Sequence, residues 1–247
     1  YPWHLQWEQY TNQDGGVGFN GIYDWSTSEA LRRTFAKDEP ATGSATSLIE
    51  ESIQWDAKYD EPWNQVAFFN VYENFPFLHE IDDTLYPTYE DKLPKLKLAA
   101  AYLFAINRLP MLFSGNEYLL EYGETAPKGS NARKPGYLFT DEVQDNPVYQ
   151  DNFAYMQALI AMRKNNPALR SAERMTEEKW IRQDEKLFGF IRQEAGSPSI
   201  VAMFNNSPDP VGPFDTALPA GVTGQTNYNF IKKDENGNYG APDETVS

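Results

Sequence analysis

The chain has 247 residues, 21 Lys+Arg against 36 Asp+Glu for a formal charge of −15, and no cysteine. That charge repels phosphate backbones and makes nucleic acid an unsuitable partner, while the missing thiols exclude disulfides and thiolate metal sites. No run approaches the about 18 apolar residues of a membrane span, and plentiful aromatics support a sizeable core in one or two domains.

The opening Tyr1-Pro2-Trp3-His4 lacks a basic start and an apolar stretch, so no signal peptide is read there. The chain starts as if in the middle of a longer protein. Trp3 to Trp7 is short, aromatic and strand-like, and Asn12 to Gly18 is a turn-rich loop. Phe19 to Trp25 reads as a second short strand. Ser26 or Thr27 is expected to cap a helix running through Phe35, with Glu29 in its first turn. After the polar loop Pro40 to Ser47, Leu48 to Tyr59 reads as helix and Val66 to Val71 as a strongly apolar strand. Leu93 to Asn107 reads as a long apolar helix. Met111-Leu112-Phe113 then has the look of a buried parallel strand, ending in the polar tip Ser114-Gly115-Asn116-Glu117. A helix, a buried strand and a polar loop at the strand's C-terminal end describe one unit of a (β/α) barrel, the end where such barrels place their chemistry.

The stretch Tyr122 to Asn146 is a long loop dense in Gly, Pro, Asn and Lys, and loops of that length are usually functional or mobile. Asn152 to Asn165 carries Phe153, Met156, Leu159 and Ile160 at helical spacing. Character changes after Pro167. Leu187 to Arg192 and Ser199 to Phe204 read as two strands of a hairpin turning at Glu194 to Pro198.

Arg108 to Glu117 resembles the last barrel strand of the α-amylase family, family 13 of the glycoside hydrolases, which reads roughly G-I-P-x-I-Y-Y-G-x-E. Gly18 to Trp25 with Ala30-Leu31-Arg32 is similar to that family's sixth strand and helix, and Val66 to Asn74 to its seventh. Ala158 to Arg170 is similar to its closing helix, and Leu187 to Ser207 to the start of its C-terminal β domain. The matches fall in the family's order. They imply an α/β fold: the second half of a (β/α)8 TIM-type barrel, strands five to eight, over 1–170. A partial all-β sandwich domain over 171–247 follows.

What the resemblance implies is retaining hydrolysis or transfer of α-linked glucose by paired carboxylates about 5–5.5 Å apart. The nucleophile belongs to the fourth strand, which precedes this sequence. The acid/base would lie at the end of the fifth, within His4 to Gln9. In one register Glu8 is that residue. In the other, Leu5-Gln6-Trp7 matches and Gln6, which cannot deliver a proton, stands in its place. The seventh-strand pattern, about E-N-H-D, is met by Glu73 and Asn74 but then departs, with Phe75-Pro76 for the histidine and aspartate. His79 either reaches the cleft by another route or faces solvent. Asp82 and Asp83 either displace the missing carboxylate or begin a solvated loop.

Trp7 and Tyr72 fall near the presumed cleft and are candidates to stack on sugar rings, with core packing as the plain alternative. Asn74 and His79 complete the substrate-binding candidates. Lys128, Arg133 and Lys134 would contact polyhydroxylated ligand or simply carry loop charge. Asp234 to Asn238 faintly resembles a calcium loop, but Tyr239 stands where glycine is expected, and a turn at Asn236-Gly237 is the better fit. Calcium is neither placed nor excluded.

Half a barrel leaves open strand edges and an uncovered inner face, against about 250 residues in a whole barrel. The expected partners are therefore an α-glucan or oligosaccharide and the missing N-terminal barrel half, in the same protein or another chain. The acidic surface suits a secreted or periplasmic setting, and plain solubility explains it as well. Two functions stay open: part of an α-amylase-like enzyme, or an inactive relative serving as a glucan-binding or protein-interaction scaffold.

Overall fold

The structure is a computed structural model and describes residues 21–38, 49, 59, 61–71, 76–119, 144–182, 184–210 and 233–240. Every structural statement concerns these residues. Strand β1 (Ile22–Tyr23) leads into helix α1 (Trp25–Ala36), strand β2 (Gln65–Ala67), helix α2 (Tyr89–Ala105), strand β3 (Leu109–Pro110) and helix α3 (Pro147–Asn165). Strands β4 (Trp180–Arg182), β5 (Leu187–Arg192) and β6 (Ile200–Asn205) follow.

The first three strands form one parallel sheet in the order β1-β2-β3. Tyr23 lies opposite Val66, and Val66 opposite Leu109, so these three side chains form one row on one face. That face is open: Tyr23 is 52% exposed and Leu109 50%. The other face carries Gln65, Ala67 and Arg108, each at most 1% exposed, and it is covered by the helices. The expected apolar strands were longer. β2 ends at Ala67: the next N–H, of Phe68, donates to Ser28 Oγ at 3.2 Å, and the Phe68 ring meets Tyr23 and Trp25 edge-on, with centroids 5.8 and 5.1 Å apart. β3 pairs at Leu109–Pro110, ahead of the expected Met111-Leu112-Phe113, which are only half-buried. The ladder still reaches Met111, whose N–H donates to the Ala67 carbonyl at 2.8 Å.

Caps set the helix starts, and at α1 the cap differs from the one expected. Asp24, not Ser26 or Thr27, caps α1 by accepting from the Thr27 N–H at 3.0 Å. Thr88 and Asp91 form a reciprocal capping box on α2, starting it at Tyr89 rather than Leu93. Asn146 caps α3 by accepting from Val148 and Tyr149 at 2.9 and 3.4 Å. Pro147 follows as its first residue, its fixed φ suited to that place. The helix therefore begins five residues before the expected Asn152. At its other end Arg163 reaches across to donate to the carbonyls of Phe104 and Ile106 at 2.8 and 2.9 Å, and to that of Arg108 at 2.6 Å. These are carbonyls at and beyond the end of α2, which no helical N–H can satisfy.

The hairpin β5–β6 pairs in the expected segments, Leu187 opposite Asn205 through Arg192 opposite Ile200. A third strand, β4, was not foreseen and pairs antiparallel with β5. Its three residues are too few to show an alternating pattern. This sheet turns its aromatic face to α1 and α2. Phe35 lies 6.1 Å from Phe188, and Tyr102 lies 6.2, 5.8 and 5.4 Å from Phe188, Phe190 and Phe204. Each fully buried ring contributes about 1.5–3 kcal/mol by leaving water. Gly189 of β5 is required there: a Cβ would lie 2.3 Å from both the Ala202 carbonyl oxygen and Met203 Sδ.

Polar groups finish the seam. Lys95 of α2 pairs with Asp38 and donates to the Asn206 carbonyl at 2.9 Å and Asn206 Oδ1 at 2.8 Å. Asn206 Nδ2 in turn donates to the Thr34 carbonyl at 2.7 Å.

Candidate functional site

The candidate site is built from the segments that follow the C-terminal ends of β2 and β3. After β2 comes Phe68-Phe69-Asn70-Val71, and after β3 comes Met111 to Tyr118. Arg32 from α1 braces the first loop, donating from Nη1 to the Phe69 carbonyl at 2.6 Å and pairing through Nη2 with Glu80 at 2.5 Å. Ser28 adds a second brace, accepting from the Phe68 N–H at 3.2 Å. Phe69 also packs edge-on against Phe77, at 5.8 Å.

The second loop turns sharply at Gly115, whose φ of 105° lies where side chains are disfavoured. Glu117 Oε2 accepts from the Gly115 N–H at 2.9 Å. Asn116 Oδ1 accepts from the Phe113 N–H at 2.9 Å, and Asn116 Nδ2 donates to Asn70 Oδ1 at 2.8 Å. Asn152 of α3 donates to the carbonyls of Asn116 and Glu117 at 2.9 and 3.0 Å. Tyr118 stacks on Phe153, centroids 4.7 Å apart and planes 5° from parallel. The rim thus offers amide and backbone hydrogen-bonding groups held in one arrangement by buried partners. Asp24 and Arg108 form an ion pair at 3.1 Å on the helix-covered face, away from the open one.

Of the residues singled out by sequence, Asp82 and Asp83 are exposed, Asp82 accepting from the Thr84 N–H and Asp83 paired with Lys92, and His79 is also described. It is exposed on the 3₁₀ turn Phe77–Glu80, beside the Glu80 that Arg32 holds. Gln6, Trp7, Glu8, Tyr72, Glu73, Asn74 and Phe75 lie outside the described residues, as do Lys128, Arg133 and Lys134. The amides Asn70 and Asn152 were not singled out, and their role depends on which residues the sheet register brings together.

No group of three or more His, Asp or Glu side chains suited to a metal occurs among the described residues. Asp234 closes a turn, as expected for Asn236-Gly237. Its Oδ1 accepts from the N–H groups of Asn236 and Asn238 at 2.9 and 2.7 Å, closing a turn between the bridged residues Lys233 and Tyr239. Those backbone donors hold the carboxyl below its ordinary value.

Parallel strands alternating with helices, followed by an antiparallel sheet, define an α/β arrangement with a separate all-β layer. No protein-family model and no curated protein sequence matches the chain. Solved structures do match. The chain is similar to an α-amylase from Anoxybacillus, with 19% identity and TM-score 0.55 over 77% of this chain and 37% of that one. It is similar to AmyP, solved in complex with maltose, with 14% identity and TM-score 0.64 over 81% and 42%. It is also similar to the γ-CGTase of alkalophilic Bacillus clarkii, with 15% identity and TM-score 0.59 over 94% and 31%. The resemblance to the α-amylase family read from the sequence therefore holds at the level of fold. This chain spans well under half the length of each of these enzymes.

Proposed function

We propose that the chain is the C-terminal part of an α-amylase-like glycoside hydrolase acting on α-glucans. In this reading β1, β2 and β3 are the sixth, seventh and eighth strands of a (β/α)8 barrel over 1–170, and 171–247 begins the C-terminal β domain. The observation that carries the reading is the parallel order β1-β2-β3 followed by an antiparallel sheet, in a chain similar over 81% of its length to a maltose-bound AmyP. The open row Tyr23–Val66–Leu109 supports a missing N-terminal half, which would cover that face as the inside of a closed barrel.

The reaction is retaining hydrolysis or transfer. Glu8 protonates the departing glycosidic oxygen, and a carboxylate outside this chain attacks the anomeric carbon. Water then releases the glycosyl-enzyme, with Glu8 taking its proton. Trp7 and Tyr72 stack on sugar rings, and Asn74 and His79 hydrogen-bond hydroxyls. A second reading is favoured by Phe75-Pro76, which put neither histidine nor aspartate where the family pattern has them. It is a glucan-binding relative without turnover.

Full-length protein incubated with soluble starch and maltooligosaccharides, with reducing ends followed, separates the two. Turnover abolished by Glu8→Gln supports the enzyme. Binding without turnover supports the scaffold, and neither binding nor turnover overturns both.

A further inference from the structure

Three buried asparagines join the segments after β2 and β3 to α3. Asn70 and Asn152 are each 1% exposed and Asn116 is 8%. Asn116 sits in the middle: its Nδ2 donates to Asn70 Oδ1, and its Oδ1 closes the turn onto the Phe113 N–H. Asn152 holds the same loop from the other side, through the carbonyls of Asn116 and Glu117. The backbone takes a left-handed conformation between these anchors, φ 105° at Gly115, and another just past them, φ 57° at Leu119. Such backbone persists only where surrounding contacts over-determine it.

The network is not arranged for stability alone. Asn70 Nδ2 and Asn152 Oδ1 are buried with no hydrogen-bond partner from the protein. A buried amide with an unused donor or acceptor is costly, and an apolar residue of similar size would avoid that cost. What an apolar residue would not supply is direction: a fixed distance between the β2 tip and the β3 tip. Both tips lie at the end of the parallel sheet where the candidate site is built.

We propose that Asn70, Asn116 and Asn152 are positioning residues that set the placement of the Ser114–Glu117 loop at the mouth of the glucan cleft. They act through that loop and not on the sugar. The inference rests on the α-glucan reading for its consequence, and on the hydrogen bonds above for its mechanism.

The test uses full-length protein with Asn70→Leu, Asn70→Asp and Asn116→Asp. Leucine removes the acceptor facing Asn116 Nδ2, and aspartate keeps it. Asn116→Asp keeps the acceptor for Phe113 and loses the donor to Asn70. Two readouts are taken: hydrogen exchange at the Phe113 and Gly115 amides, and KM and kcat on maltooligosaccharides, or maltotriose affinity if there is no turnover. Asn70→Leu and Asn116→Asp are expected to speed exchange at Phe113 roughly threefold to tenfold, the loss of one hydrogen bond, with β5 and β6 unchanged. KM or affinity worsens by a similar factor while kcat moves less, and Asn70→Asp restores both readouts.

Unchanged loop exchange in folded Asn70→Leu overturns the proposal. So does an Asn70→Asp variant as defective as Asn70→Leu. If all three variants fail to fold, the asparagines are a stability device and the proposal falls. If wild-type protein neither binds nor cleaves glucan, the glucan reading fails, while the exchange data still decide the positioning.

Discussion

The Tyr239 hydroxyl lies 3.0 and 2.7 Å from the two carboxylate oxygens of Asp151, a residue 88 positions earlier on α3. Lys97 of α2 donates to the same carboxylate at 2.7 Å and Lys233 pairs with it from the other side. Lys97 also lies over the rings of Tyr155 and Tyr239, 5.4 and 4.7 Å from their centroids. One carboxylate thus fastens the turn 233–240 to two helices.

Burial alone would raise the Asp151 carboxyl, but hydrogen bonds from Lys233, Lys97 and Tyr239 outweigh it and hold it at about 2, below its ordinary 3.8. A carboxyl depressed in the folded state stabilises the fold above its ordinary value and loses that contribution as pH falls toward about 2. Asp151→Asn should therefore cost about 1 kcal/mol at pH 6, a figure reduced for solvent screening at this partly exposed site. The gap between variant and wild type should narrow from about pH 4 downward. Urea denaturation at a series of pH values measures it, and a gap that widens on acidification would contradict the assignment.

Lys95 and Asp38 form a buried pair, their side chains 6% and 10% exposed. Removing one partner strands the other charge, so Lys95→Met should destabilise by about 3–5 kcal/mol. Asp38 has φ 55°, a conformation asparagine tolerates well. The double variant Lys95→Met/Asp38→Asn should then recover much of the loss. Equilibrium denaturation of single and double variants tests this, and a double variant no better than Lys95→Met would show that the pair is not the source.

Gly189→Ala puts a methyl group within 2.3 Å of the β6 backbone. The strands must separate or shift, costing about 1–3 kcal/mol as in overpacked cores, and more if the backbone cannot yield. Gly196, at the hairpin turn, has φ 79° and nothing within 4 Å of an added Cβ. Gly196→Ala should cost only the backbone strain, about 1–2 kcal/mol. Thermal melts of the two variants should rank Gly189→Ala lower.

Arg163 spans three carbonyls with one planar guanidinium. Burial, and then Arg170 nearby, push it down to about 10, which leaves it charged at neutral pH. Lysine keeps the charge without the fork, so Arg163→Lys should lose about 1–3 kcal/mol of stability. Hydrogen exchange should rise first at the end of α2 and the start of β3.

The order of elements was legible because long apolar periodicities survive without tertiary help. The Leu187–Arg192 and Ile200–Asn205 strands and the bulk of α2 and α3 are of this kind. Boundaries were not, because they are set by single hydrogen bonds. Asp24 displaces Ser26 and Thr27 as cap since its position at the end of β1 brings its carboxylate over the Thr27 N–H. The rim was half legible. The glycine and polar residues of Ser114–Glu117 mark a loop, but the Asn70–Asn116 contact exists only once parallel pairing sets β2 beside β3.

The Asn206 side chain closes contacts with residues far back along the chain, 111 positions to Lys95 and 172 to Thr34. During synthesis at about 5–20 residues per second, Asn206 emerges on the order of ten seconds after Lys95. Until then the ammonium between α1 and α2 lacks two of its acceptors and keeps water in their place. Contacts of such sequence separation form slowly, because their loops must close before any interaction rewards it. The polar centre between α1 and α2 is thus closed by a residue just past β6, so the second sheet completes the packing of the helices and is not an appendage to a finished layer.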